Sequence, residues 1–94
     1  MIAVIQHTDA MNDKRIVFGV LSQLKANVIK TDNDSETYHP KITLYVEDMK
    51  EIHNILSVLN RNTVYGVSLL KCKETFWEKI ERIFGHESKD IFNG

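Results

Sequence analysis

The 94-residue sequence predicts an α+β fold, a ferredoxin-like βαββαβ sandwich with an additional C-terminal α-helix. Two observations lead there. The stretch "ITLYVEDMKEIHNIL", residues 42–56, alternates Ile42, Leu44 and Val46 with Thr43, Tyr45 and Glu47, then changes to the helical spacing of Met49, Ile52, Ile55 and Leu56. Before and after it, strand-like and helix-like segments follow in the order β-α-β-β-α-β, with one more helix at the end. Right-handed crossovers then set a four-stranded antiparallel sheet of order 4-1-3-2 with two helices on one face.

Residues 2–7, "IAVIQH", are short, apolar and β-branched, which predicts a central strand. The polar loop "TDAMND" follows, and Asn12 or Asp13 is suited to cap a helix. Val17, Val20, Leu21 and Leu24 fall on one helical face, so residues 14–25 read as a helix despite Gly19. "NVIKTD" reads as a short strand, and "DNDSETYHP" as a hairpin loop dense in turn formers. A strand over 41–47 follows Pro40. Asp48 and Glu51 form an Asp-x-x-Glu variant of the capping box, which explains the abrupt join to the second helix. Its apolar stripe is Met49, Ile52, Ile55, Leu56 and Leu59, and the asparagines among Asn60, Arg61 and Asn62 are suited to a left-handed C-cap.

"TVYGVSLLKC", residues 63–72, reads as the last strand, with Tyr65, Val67 and Leu69 sharing a face. Thr75 and Glu78 make a capping box for a third helix lined by Phe76, Trp77, Ile80, Ile83 and Phe84, with Gly85 as its stop. The organisation is a single domain over 1–94: core 1–72, helix 75–85, and a weakly ordered tail 86–94.

Composition excludes several classes. A net charge of −1 argues against a general nucleic-acid binder while leaving room for a local basic patch. The lone cysteine, Cys72, excludes an intrachain disulfide and reads as a buried thiol. The expected compartment is the cytoplasm, since no basic leader, cleavage site or bilayer-length apolar run is visible.

Residues 21–71 resemble an ACT domain, a small ferredoxin-like regulatory module. The resemblance lies in the helix end "LKANV", the strand "ITLYVED", the helix "IHNILSVL" and the closing strand "VYGVSLL". It implies amino-acid or small-molecule binding at paired-domain interfaces and allosteric control of an enzyme or transporter. ACT domains usually carry a glycine in the first strand–helix turn, and "HTDAMND" has none.

The candidate ligand-binding cluster is His7, Thr8, Asp9, Asn12 and Asp13, at the end of a central strand, where the two aspartates match a cation or ammonium group. His7, Asp9 and Asp13 are also metal-ligand types, but without diagnostic spacing, and no metal or other cofactor is expected. His39, His53 and His86 read as surface residues, and no nucleophile–base pair points to an enzyme. Lys41, Thr43 and Tyr45 with Tyr65 suggest a basic, aromatic sheet platform. Phe76, Trp77, Ile80 and Phe84 form a candidate partner-binding face, and the uncovered side of the sheet predicts a homodimer. The expected function is a stand-alone ACT-like regulatory module binding a small ligand, such as an amino acid, and modulating a partner. The alternatives are a small phage- or mobile-element-type interaction protein and a nucleic-acid-binding ferredoxin-like domain.

Overall fold

The computed structural model describes residues 1–33, 39–75, 77–81 and 83. Its elements are β1 (Ile2–His7), α1 (Met11–Gln23), β2 (Asn27–Asn33), β3 (Pro40–Tyr45), α2 (Met49–Asn62) and β4 (Val67–Lys73). Residues 77–81 and 83 are helical and form α3. The four strands make one antiparallel sheet of order β2-β3-β1-β4, the expected order read from the other edge. The fold is α+β and compatible with a small ferredoxin-like sandwich. The tail 86–94, Gly85 and loop positions 34–38 lie outside the described residues.

One face of the sheet holds the core. Ala3 and Ile5 of β1, Ile42 and Leu44 of β3, Val46 and Val67 pack against Val17 and Leu21 of α1 and Ile52, Ile55 and Leu59 of α2. The period of two in the strands and of 3–4 residues in the helices sends these side chains to a common layer. Cys72 is half-buried against this layer rather than fully enclosed.

Several boundaries differ from the sequence reading, each for a local reason. α1 starts at Met11, with Ala10 at the N-cap and no side-chain cap bond, so Asn12 and Asp13 are not caps. Its end is closed by Lys25 in the left-handed region at φ 54°, with Lys25 N–H donating to Ser22 O (3.1 Å) and Ala26 N–H to Leu21 O (2.9 Å). The expected asparagine C-cap of α2 is absent. Thr63 ends that helix in an extended conformation, while Asn60 and Asn62 donate to the Leu56 and Val58 carbonyls.

At the strand–helix join, the Glu51 N–H donates to Asp48 Oδ1 at 2.9 Å, as expected of a cap. The Glu51 carboxylate, however, accepts from the Glu47 N–H at 2.5 Å, one residue upstream of the capping-box position. β3 ends at Tyr45, and Val46 continues the sheet by exchanging two backbone hydrogen bonds with Met1. β4 begins at Val67 rather than at residue 63. Tyr65 is 70% exposed in the preceding turn and does not share a face with Val67 and Leu69. Gly66, at φ 83°, gives that turn its direction.

Candidate functional site

The loop cluster divides into buried and exposed members. His7 is 2% exposed and Asp13 1% exposed. Asp13 Oδ1 accepts from the Val64 N–H at 3.0 Å, and Oδ2 from the Tyr65 N–H at 2.9 Å. Thr8 Oγ1 reaches Oδ2 at 3.5 Å. These backbone donors, Val64 first, hold the Asp13 carboxyl below its ordinary range. Asp13 therefore ties the start of α1 to the α2–β4 turn, and its oxygens face the protein's own amides.

The His7 ring donates from Nδ1 to the Thr8 carbonyl at 2.7 Å and stands edge-on to Phe18, ring centroids 6.1 Å apart. Its Nε2 is buried without a hydrogen-bond partner among the described residues. Asp9 and Asn12 are exposed, and Asp9 faces Lys14 at 3.8 Å. No group of three metal-ligating side chains converges among the described residues. His39 and His53 are exposed, and His86 lies outside the described residues.

A cavity of about 520 Å³ lies instead on the face of the sheet opposite the core. Strand register builds it in rows. Lys30 of β2 pairs with Thr43 of β3, Thr43 with Val4 of β1, and Val4 with Lys71 of β4. The row on one side is Asp32–Lys41–Gln6–Ser68, and on the other Asn27–Tyr45–Ile2–Lys73. Ile2, Val4 and Leu70 give the cavity an apolar floor, and Lys30, Lys41, Lys71 and Lys73 rim it. Asp32 and Glu74 also line it, so four lysines against two carboxylates give a local charge of +2 on a chain of total charge −1. Lys30 and Asp32 approach to 3.3 Å, both exposed.

Of the proposed platform, Lys41 and Thr43 line this cavity and Tyr45 lies in the next row, whereas Tyr65 is in the turn after α2. The sequence points to a basic patch at Lys41 and Thr43 but not to the rest of the rim, whose lysines come from β2 and β4 and are brought beside β3 only by register.

α3 begins at Thr75, whose Oγ1 accepts from the Glu78 N–H at 3.3 Å and donates to Glu78 Oε1 at 2.8 Å. Glu78 also pairs with the Met1 ammonium group. The Thr75 hydroxyl and this ammonium hold the Glu78 carboxyl below its ordinary range, the bond to the ammonium contributing most. Glu78 in turn pushes the Tyr45 phenol up, with burial and then Glu47, Glu51 and Glu81 adding to the effect. Trp77 is 75% exposed, Ile80 half-buried and Ile83 exposed, while Phe76 and Phe84 lie outside the described residues. No described residue of α3 lines the lysine-rimmed cavity.

No protein-family model, curated protein or solved structure matches the chain. No helix among the described residues is long and apolar enough to cross a membrane.

Proposed function

We propose that the chain is a non-catalytic regulatory binding module, ACT-like in plan, that holds an anionic ligand on the open face of its sheet and modulates a partner protein. The observation that carries this reading is the lysine-rimmed cavity with an apolar floor. A concave surface with apolar area and a few convergent charges has the general form of a ligand site. The loop of His7, Thr8, Asp9, Asn12 and Asp13 is a weaker site for a small ligand such as an amino acid, because Asp13 already satisfies two backbone amides.

An NMR titration with sodium tripolyphosphate tests the reading. Saturable amide shifts at Lys30, Thr43 and Lys71 are expected. Absence of any shift overturns it, and shifts confined to residues 7–13 with an added amino acid return the site to the loop.

The second reading, an interaction protein without a ligand, is favoured by the exposure of Trp77 and Ile83 on α3. It predicts a partner whose capture is lost on Trp77→Ala. A homodimer through the open face would set one lysine rim against another, so α3 is the better dimer contact. Sedimentation of Trp77→Ala beside the unaltered chain reads this directly.

A further inference from the structure

We propose that the anion held on the open face is the phosphodiester chain of a single-stranded nucleic acid, running across the strands from β2 to β4. This rests on the anion-site reading above and names its ligand class.

The register supplies the spacing. Lys30 and Lys71 stand at opposite ends of one row, three inter-strand steps or about 14 Å apart. Lys71 and Lys73 are two residues apart on one strand, about 6.6 Å. A compact anion meets one pair of these lysines, whereas a chain of repeated charges meets both ends of the row.

The rim cations are all lysines. Lysine neutralises phosphate as a point charge, without the fixed geometry of the arginine fork, which suits a flexible chain of repeated charges. Lysines on edge strands also block edge-to-edge association, which accounts for Lys30, Lys71 and Lys73. Lys41 stands on the inner strand β3 and lines the same cavity.

The floor selects single strands. Leu70, 44% exposed, and the half-buried Ile2 offer apolar surface between the cations, above the buried Val4, and unpaired bases have free faces to lie on it, whereas a duplex stacks its base faces inside. The acidic neighbourhood of Tyr45, with Glu78, Glu47 and Glu51, repels phosphate.

Fluorescence anisotropy with a labelled uridine dodecamer tests the inference. Four neutralised phosphates on a single strand give about a 50-fold loss of affinity between about 50 and 200 mM salt. The double variant Lys71→Gln/Lys73→Gln, with its melting temperature checked, should lose only about 7-fold over the same range. An abasic dodecamer should bind at least about 5-fold more weakly than the uridine chain. An unchanged salt slope in the double variant overturns the inference. So does equal binding of the abasic chain or of poly-glutamate, which leaves the broader anion site standing. Failure of the dodecamer, poly-glutamate and tripolyphosphate alike overturns both.

Discussion

Asp13, in the first turn of α1, accepts a 2.9 Å hydrogen bond from the Tyr65 N–H, 52 residues further along the chain. The other carboxylate oxygen takes the Val64 N–H, so one side chain fixes the turn that leads into β4. Asp13→Asn replaces one acceptor with an amide donor facing a backbone N–H and should lower the melting temperature by at least about 5 °C. The pH dependence follows from the lowered Asp13 carboxyl. A carboxyl depressed by folding stabilises fully above its unfolded value, and that stability is lost as pH falls through the folded value. Melting between about pH 5 and 2 should therefore fall more steeply for the unaltered chain than for Asp13→Asn.

The two glycines facing α2 and in α1 should respond in opposite directions to alanine. Gly66 sits at φ 83°, and an added Cβ would lie 2.9 Å from Asn60 Oδ1. That oxygen already accepts from the Val67 N–H at 2.8 Å and has little freedom to retreat. Gly66→Ala should cost at least about 1 kcal/mol. At Gly19 an added Cβ meets nothing within 4 Å, so Gly19→Ala should gain about 0.5–1 kcal/mol from helix propensity. Urea denaturation of both variants measures the two signs.

Glu78 links α3 to the sheet through Met1 and raises the Tyr45 phenol. Glu78→Gln should lower the pH at which Tyr45 forms phenolate, followed by its ultraviolet absorbance. A phenol raised by folding contributes stability below its unfolded value, and that stability is lost as pH rises through the folded value. The alkaline limb of the stability profile should therefore be shallower in Glu78→Gln.

Burial separates two apolar residues of similar size. Leu44 is fully enclosed between the sheet and the helices, whereas Ile29, at the bulge of β2, is 51% exposed. Leu44→Ala should cost about 3 kcal/mol by urea denaturation, and Ile29→Thr no more than about 0.5 kcal/mol.

Much of the fold was legible because its signals are local. The alternation of Ile42, Leu44 and Val46, the Asp48 cap and the α2 stripe each lie within a few residues, and together they fix strand, join and helix. The start of β4 is hard to read because Val64 and Tyr65 look like strand residues, while the turn made at Gly66 is held by Asp13, far away in sequence. The same distance hid the role of Asp13, which looked like a cap or a ligand. Of the lysine rim only Lys41, beside Thr43, is legible in the sequence, for a different reason. The rest depends on register across the sheet and on bulges between Val28 and Lys30 and beside Val4, which no single strand's pattern reveals.

The sheet order has a consequence for synthesis. β1 lies between β3 and β4, and Ile2 pairs with Tyr45 and Lys73. Both partners leave the ribosome after β1, so the nascent chain carries "IAVIQH" unpaired while α1 and β2 are made. A pause in translation once β1 has emerged, and before β3 follows it, would prolong the time that this apolar strand stays open to other chains.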